Sequence, residues 1–431
     1  MPYKTPELTI SPTVLEWARK TAGYAQGDIA SRLGVSTELV EIWEKGSAQV
    51  PLRVTQLEDL AHFLKRPLAT FLLADPPPEP TPPQDFRRAG GQPSPLSPEF
   101  RLVLRRGRRL QAVARELMEN LGISKTSMVP TTQLSDNPAT VGKELRKDFG
   151  ISTSEQLEWR NPWIALRCWQ QALESRNILV FQGDFRREEA QGFSLSDEHP
   201  YAIILASEDH PYARSFTLFH ELGHLLLREG GVCITDLAYP VSTSTITRTE
   251  DWCHRFAEAF LIDEGTLNSK EETQSIIRMQ PGYEHELSRL ASQFKVSRAV
   301  ILFRLWHDKS MPDSQFWSMY SGLQQTPKAK RKPEKERKGG LPPAQKAIRE
   351  RGRFLSRLVL EALDRNMVGY TEAVDYLGVR PQHFEKYDWQ SMTRNGYPEG
   401  SHHLLRRHKF SSNNPKDIPI IQIGRCLGIL R

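Results

Sequence analysis

Apolar side chains recur every three to four residues through long stretches of this chain, and this spacing predicts amphipathic helices. The clearest exception is YAIILAS at 201–207, a short and continuous apolar run that predicts a buried strand. The pattern therefore indicates an α+β protein that is mainly helical and contains a small sheet. Because no apolar run approaches the ~18 residues that a membrane span needs, we expect no membrane partner.

Two changes in composition divide the 431 residues into segments. The stretch 76–100 holds nine prolines and predicts an extended linker, since proline cannot continue a helix or a central strand. A second linker is predicted at 324–343, where a basic run meets GGLPP. The predicted segments are 1–75, 76–100, 101–323, 324–343, 344–390 and 391–431.

The net charge of +6 is concentrated in one place. The run KAKRKPEKERK at 328–338 has seven basic and two acidic residues, which is typical of a solvated linker rather than a nucleic-acid groove. The four cysteines lack CxxC spacing, which argues against a disulfide framework and a cysteine-only zinc site. The first residues, MPYKTPELTISP, have no secretory pattern. Together these features predict a cytoplasmic protein.

The segment 1–75 has the pattern of a helix-turn-helix domain. GDIASRLGVSTELVEIWEKG predicts two short helices, with Gly34 in a left-handed turn and Ser36 capping the second helix. A-x-x-LGVS, WEKG and QLEDLA resemble the DNA-binding domains of phage-repressor (XRE) type. That resemblance implies a DNA-reading surface on the second helix. Its candidate residues are Ser36, Thr37, Glu38, Val40 and Glu41.

The charge of the same helices favours a different partner. From Asp28 to Val50 there are four acidic and only two basic side chains, and acidic groups are repelled by DNA phosphates. A helical module that recognises protein therefore stands beside DNA binding as the second interpretation.

The segment 344–390 is predicted to begin with one long amphipathic helix, AIRERGRFLSRLVLEALDRNMV. TEAVDYLGVRPQHFEKYDW follows, with Thr371 as a candidate helix cap and a second Leu-Gly-Val turn. This pattern predicts a shorter helix-turn-helix-like element, or alternatively a packing or dimerising element, so a homodimer is one expected assembly. The tail 391–431 is unassigned.

HELGH at 220–224 is the strongest chemical signal in the chain. Residues four apart lie on one face of a helix, so His220 and His224 can bind one metal ion. Glu221 is displaced by about 100° and can reach a water in an open coordination position. The metal would lower the pKa of that water toward ~7, and Glu221 would accept its proton.

The surroundings of HELGH fit a helix that is packed on the core. Ser215 or Thr217 can cap its start, and Phe219 can pack on a face away from the histidines. Gly223 costs ~1 kcal/mol in a helix relative to alanine, so we expect a packing reason for it. The alternative is a core helix with incidental histidines, which would need several polar partners.

A catalytic zinc usually takes three protein ligands, and HELGH supplies two. The run RTEDWCHRFAEAFLIDE at 248–264 predicts a second amphipathic helix, in which Phe256, Phe260 and Leu261 can pack. The candidate third ligands on this helix are Glu250, Asp251 and His254.

FTLFHELGHLLL followed by E-D-W-C-H-R-F-A resembles the ImmA/IrrE family of metallopeptidases over roughly residues 1–310. The resemblance implies a zincin-like domain at 101–323 with a small mixed sheet. It implies Zn²⁺, with Mn²⁺ as an alternative, held by His220, His224 and Glu250, and Glu221 as the general base. His254 departs from the family pattern, which has Asn or Asp there. It can orient a ligand or compete for the metal.

The resemblance also implies an activity. It is that of a zinc endopeptidase that cleaves a protein regulator, in particular a helix-turn-helix repressor, in a phage, mobile-element or stress response. If Gly192–Leu195 form an exposed edge strand, an extended substrate can pair with it. The candidate stabilisers of the tetrahedral oxyanion are Tyr201, Tyr239, Arg214 and His254.

Two other functions fit the same motifs. One is a DNA-binding transcription regulator or antitoxin whose metal domain is a sensor or scaffold. The other is a metal-binding interaction protein that has neither activity.

Overall fold

Helices form most of the described chain, which in this computed structural model comprises residues 7–46, 50–78, 84–85, 96–186, 189–233, 245–325 and 341–385. Those before the sheet are α1 Pro12–Ala22, α2 Gln26–Leu33, α3 Thr37–Lys45, α4 Val54–Leu64, α5 Pro98–Asn120, α6 Pro138–Phe149, α7 Thr153–Glu158 and α8 Pro162–Glu174. Those after it are α9 Pro211–Leu227, α10 Thr245–Leu261, α11 Glu264–Asn268, α12 Glu271–Ile277, α13 Tyr283–Phe294, α14 Arg298–His307, α15 Asp313–Gln325, α16 Pro343–Arg351, α17 Arg353–Asp364, α18 Tyr370–Leu377 and α19 Pro381–Phe384.

The strands form two sheets. They are β1 Glu7–Ile10, β2 Val50–Arg53, β3 Gln84–Asp85, β4 Leu179–Gly183, β5 Gly192–Leu195, β6 Ala202–Ala206 and β7 Gly231–Cys233. β1 and β2 pair with each other, and the five remaining strands have the order β3-β7-β5-β6-β4. β4–β6 and β3–β7 are parallel, whereas β5 is antiparallel to both of its neighbours. The prediction of a mainly helical α+β protein with a small mixed sheet is confirmed.

The five-stranded sheet is covered on both faces, which explains why its central strands are continuously apolar. Because successive side chains point to opposite faces, Ile203 and Leu205 join the core that contains α8, α9 and α10. Ala202 and Ile204 join the opposite core, which contains α5, α16, α17 and α18. The predicted strand at 201–207 is therefore β6, and its run of apolar residues serves two separate cores.

The N-terminal helices α1–α4 build a third core. The turn between α2 and α3 follows the predicted geometry, with Gly34 at φ 66° and the Ser36 hydroxyl accepting the N–H of Leu39 at 3.3 Å. The Arg19 guanidinium is clamped by the Glu44 carboxylate, which joins α1 to α3.

Arginines of α5 connect this N-terminal core to the rest of the protein. Arg101 donates to the carbonyl of Lys20 at 3.3 Å, and Arg105 donates to the carbonyl of Leu64 at 3.0 Å. Both carbonyls lie in the last turn of their helices, α1 and α4, where a cation also interacts favourably with the helix dipole. Gly23 leaves the space for this contact, since a Cβ there would lie 2.8 Å from the Arg101 Cδ.

The prediction of one long helix at the start of the C-terminal segment is wrong. The chain breaks into α16 and α17 at Gly352, which has φ 77° and lies so close to the sheet that a Cβ would be 2.5 Å from the Val180 carbonyl oxygen. The buried Glu174 carboxylate then accepts the N–H of Arg353 at 3.0 Å at the start of α17. α17 packs against α5 and α18, so these helices close one face of the sheet.

Thr371 is not the cap of α18. Gly369 precedes that helix, and its N–H donates to the Glu372 carboxylate at 2.8 Å. Most of the predicted basic linker and the tail 391–431 lie outside the described residues. Among the described helices, none is both long and apolar enough to span a membrane.

Candidate metal centre

The helix that carries HELGH is α9, and it begins earlier than the sequence predicts. His210 precedes it and accepts the N–H of Tyr212 at its Nδ1, and Pro211 occupies the first turn. Ser215 and Thr217 are not caps, because both lie inside the helix and are buried. The longer helix sets His220 in its middle, where the backbone is fully hydrogen-bonded and positions the side chains rigidly.

Two histidines and one carboxylate converge between α9 and α10. The His220 Nε2 lies 3.1 Å from the His224 Nε2, and each of these nitrogens lies 3.2 Å from a different Glu250 oxygen. Both histidines are fully buried, and the Glu250 side chain is 15% exposed. Among the described residues these three form the one cluster that can hold a metal ion.

The distances fit a tetrahedral ion. Bonds of about 2.0–2.1 Å to one tetrahedral zinc place any two of its ligand atoms roughly 3.3 Å apart. The histidine nitrogens are 3.1 Å apart and each lies 3.2 Å from its nearer Glu250 oxygen, so these separations are close to that value. A set of two imidazoles and one carboxylate also leaves a fourth position open, as catalytic zinc sites do.

The protonation states of the cluster also suit a cation. Burial lowers the pKa of His220 to about 3, so its imidazole is neutral at neutral pH. Burial opposes ionisation of Glu250, but the adjacent His220 and His224 outweigh it and hold the pKa of Glu250 well below its usual range. Metal binding requires neutral imidazoles and ionised carboxylates, and the directions of the pKa shifts of His220 and Glu250 agree with this requirement.

The approach of α10 to α9 depends on small residues. A Cβ at Gly223 would lie 3.2 Å from the Cys253 Cα, so the two helices could not come as close with a larger residue there. Burial raises the pKa of the Cys253 thiol to about 11, which leaves it a neutral packing group. On its other side α10 meets α6 at Gly142, whose Cβ would lie 2.8 Å from the Phe256 carbonyl oxygen. The close approach to Cys253 is the packing reason that the sequence predicts for Gly223.

Aromatic rings and a buried arginine fix α10 further. Phe219 and Phe260 stack with ring centroids 4.0 Å apart, as their predicted apolar faces suggested. Arg146 donates to the carbonyls of Phe260 and Leu261 at 2.7 and 3.2 Å, which satisfies the end of α10. Gln156 accepts from Arg146 and donates to Leu261, so the helix end is held from two directions.

Glu221 lies beside the cluster and is fully buried. The sheet makes room for it at Gly192, where a Cβ would lie 2.6 Å from the Thr217 Cγ2 and 3.4 Å from the Glu221 Cγ. A side chain on this strand residue would press against the carboxylate-bearing helix. Sequence reasoning did not single out Gly192; a glycine in a strand pattern, which often marks a close approach, was the available signal.

His254 lies next to the cluster but is not a member of it. Its Nδ1 is 2.7 Å from the backbone carbonyl oxygen of Glu250, one turn earlier on α10, and therefore carries the donated proton. Its ring packs edge-on against His220 at 4.6 Å and beside Phe216 at 5.6 Å. Asp251, the other alternative ligand, pairs with Arg255 at 3.1 Å.

The expectation of an exposed edge strand at Gly192–Leu195 is wrong. β5 pairs with β6 on one side and with β7 on the other, where Gly192 faces Cys233 and Phe193 faces Val232. All four residues of β5 are buried.

Two of the proposed oxyanion stabilisers have structural contacts instead. Tyr201 is buried, and its ring stacks on His199 at 4.1 Å. Arg214 is 1% exposed and donates to the Asp209 carbonyl and to Gln182. Tyr239 lies outside the described residues.

The candidate DNA-contact residues do not share one surface. Ser36, Thr37 and Glu38 are exposed at the start of α3, and Glu41 is partly exposed. Val40 is fully buried and belongs to the N-terminal core. Val40 therefore cannot contact DNA, and the prediction that it does is wrong.

A comparison with protein-family models finds a match to the peptidase family described as the IrrE N-terminal-like domain, over residues 173–306. The matched region begins at the end of α8, contains α9 and α10, and ends in α14. It is less than a third of the chain, and it supports a metallopeptidase-type function that depends on a metal ion. No curated protein and no solved structure matches the chain.

Proposed function

We propose that this protein is a zinc-dependent endopeptidase that cleaves a protein regulator. The observation that carries the proposal is the convergence of His220, His224 and Glu250 within 3.2 Å of one another, with Glu221 on the same helix as the histidines. The match of residues 173–306 to a peptidase family supports the reaction class.

Each residue has a distinct task in this proposal. His220, His224 and Glu250 hold the ion, which is Zn²⁺ or, as the alternative, Mn²⁺. When bound, zinc acts as a Lewis acid and lowers the pKa of a water toward about 7. Glu221 is the general base: its carboxylate accepts a proton from the attacking water and passes it to the leaving amine. The buried position of Glu221 beside Gly192 keeps bulk water away from this transfer.

His254 holds the site in place. The hydrogen bond from its Nδ1 to the Glu250 carbonyl fixes the orientation of its ring, and the ring then supports one side of His220. Such contacts keep ligand side chains in the geometry that the metal needs. We therefore assign His254 a positioning role rather than a place among the ligands.

The proposed substrate is a helix-turn-helix repressor in the control of a phage, mobile-element or stress response, and the proposed setting is the cytoplasm. The support for this substrate is the combination of the metal centre with an N-terminal pair of short helices, α2 and α3, joined at a left-handed Gly34. By the resemblance to that family, we propose a narrow activity with one partner protein as substrate, so generic peptides are not expected to be cut.

The variant Glu221→Gln tests the proposal. The full chain should bind one zinc per molecule before and after this change, as measured by mass spectrometry of metals, because Glu221 is not a ligand. Cleavage of a purified helix-turn-helix repressor that the unaltered protein cuts should be lost by at least a hundredfold, the size typical of a general base. The matched control Glu208→Gln, at an exposed position shortly before α9, should cleave as the unaltered protein does.

The same variant separates the enzyme from a regulator whose metal domain is a sensor or scaffold. If the regulatory response in cells persists unchanged with Glu221→Gln, peptide cleavage is not the function. If the response is lost while zinc content and thermal stability are kept, the metal centre acts by catalysis.

A further inference from the structure

The helix α3 presents apolar side chains to solvent. Ile42 is 63% exposed and Leu39 is 37% exposed, and residues three apart lie on one face of a helix. We call these two residues the α3 strip. The opposite side of the helix holds Val40 in the core, so exposure of the strip is not a sign of loose packing.

Carboxylates flank the α3 strip. Glu38 is exposed, and hydrogen bonds to its own backbone N–H and to Ser36 lower its pKa, so it is ionised at neutral pH. Glu41 forms an ion pair with Lys45 one turn later. The other basic side chain of the α2–α3 pair, Arg32, is paired with Asp59 at 2.9 Å. Both cations are therefore already matched by carboxylates, and the net negative charge beside the strip comes from Glu38.

We infer that the α3 strip docks a basic, amphipathic segment of a partner protein. Exposed carboxylates beside the strip repel the phosphates of DNA, which supply most of the affinity of a DNA-binding protein. The same carboxylates attract Lys and Arg side chains and steer their approach. An apolar side chain of the partner can then cover Leu39 and Ile42 and remove them from water.

A second copy of this chain does not fit the surface as well. A stable dimer usually buries about 800 Å² on each partner, far more than two side chains of a nine-residue helix provide, whereas so small an area suits a weak contact with one short segment. Two copies would also bring acidic surfaces together. The partner is therefore a different protein, and the inference does not depend on the proposed peptidase activity.

Binding of a synthetic peptide to the full chain tests the inference. The probe is a fluorescent helical peptide with leucines on one face and lysines beside them. The control peptide has glutamates in place of the lysines. Fluorescence anisotropy should show that the lysine peptide binds and the glutamate peptide does not. Ile42→Ser should weaken binding roughly tenfold, as expected for an apolar anchor. Glu38→Lys should weaken it as well and reduce its dependence on salt.

A matched control comes from another exposed apolar residue, Met128, which is 54% exposed outside the N-terminal core. Met128→Ser should leave peptide binding unchanged. Circular dichroism and thermal melting should be the same for Ile42→Ser and the unaltered protein, because the side chain lies in solvent.

Three results would overturn the inference. The first is absence of binding of the lysine peptide, or binding that Ile42→Ser leaves unchanged. The second is that a short DNA duplex binds more tightly than the lysine peptide and that Glu38→Lys does not increase the affinity for the duplex. The third is a concentration-dependent dimer in sedimentation that Ile42→Ser dissociates.

Discussion

Gly223 of α9 lies so close to Cys253 of α10 that a Cβ at position 223 would be 3.0 Å from the cysteine sulfur. Three residues before Cys253 on the same helix, Glu250 reaches both histidines of α9. The distance between the two helices therefore determines whether the three ligand atoms can meet.

The variant Gly223→Val should weaken metal binding. The added side chain must push α10 away from α9, and overpacking of this kind costs about 1–3 kcal/mol. Competition with a coloured chelator should show a loss of zinc affinity larger than the loss of thermal stability. Gly322→Val, within α15, is the matched control, because a Cβ there meets no atom within 4 Å beyond its chain neighbours and the backbone of its own helix. Unchanged zinc affinity in Gly223→Val would show that the helix spacing does not position Glu250.

Removal of the His254 imidazole should lower zinc affinity by about 10–100-fold, the range typical of residues that support a ligand. The substitution His254→Ala removes both the hydrogen bond to the Glu250 carbonyl and the ring contact with His220. His254→Asn should recover part of the affinity, because its amide can still donate a hydrogen bond. X-ray absorption should count two imidazole ligands in His254→Ala and in the unaltered protein; a drop from three to two would make His254 a ligand.

Replacement of Glu174 by glutamine should stabilise the protein at neutral pH. Burial raises the pKa of Glu174 above its ordinary value of 4.5, despite the nearby Arg357 and Arg353. Because its pKa is higher in the folded state, protonation of Glu174 contributes to stability. This contribution is complete below pH 4.5, the unfolded-state pKa, and is lost as the pH rises through the folded-state pKa. The stability of Glu174→Gln relative to the unaltered protein should therefore increase with pH and then level off.

Chemical denaturation at a series of pH values measures this difference. The Gln side chain keeps an oxygen that can accept the N–H of Arg353, so the start of α17 should persist. Glu361→Gln, on the outer part of the same helix, is the control and should show no comparable rise. If the stability advantage of Glu174→Gln over the unaltered protein shrinks with increasing pH, the pKa of Glu174 is not raised in the folded state.

Arg105→Ala should loosen the N-terminal core from α5. A hydrogen bond from a charged donor contributes about 1.5–3 kcal/mol, and this one satisfies the Leu64 carbonyl at the end of α4. Hydrogen exchange should become faster at the end of α4, while the amides of α9 keep their protection. Arg109→Ala, which removes an exposed pair with Asp375, should leave the exchange of α4 as it was.

Local patterns were sufficient to predict the metal-centre elements. The spacing of His220 and His224 predicts that both face the same way on a helix, and the structure brings them to 3.1 Å. The apolar pattern of 248–264 predicts the helix that carries Glu250. Only the resemblance to a family ranked Glu250 above Asp251 and His254, because all three lie on that helix.

Contacts between distant parts of the chain could not be predicted in this way. β5 has an alternation that fits an edge strand, but β7, nearly forty residues later, pairs with it and buries it. The amphipathic pattern continues without interruption through Gly352, and the break there follows from the sheet and Glu174 lying against that glycine. Both outcomes depend on tertiary packing rather than on local sequence.

Arg101 and Arg105 attach the N-terminal helices to α5, which itself packs on the sheet beneath the metal centre. A protein that binds to those helices is consequently held at a fixed distance from Glu221. The effective concentration near Glu221 is then high only for peptide bonds at that distance from the captured part. Under the proposed activity, the choice of cleavage site would follow position along the captured protein more than the identity of the residues beside the bond.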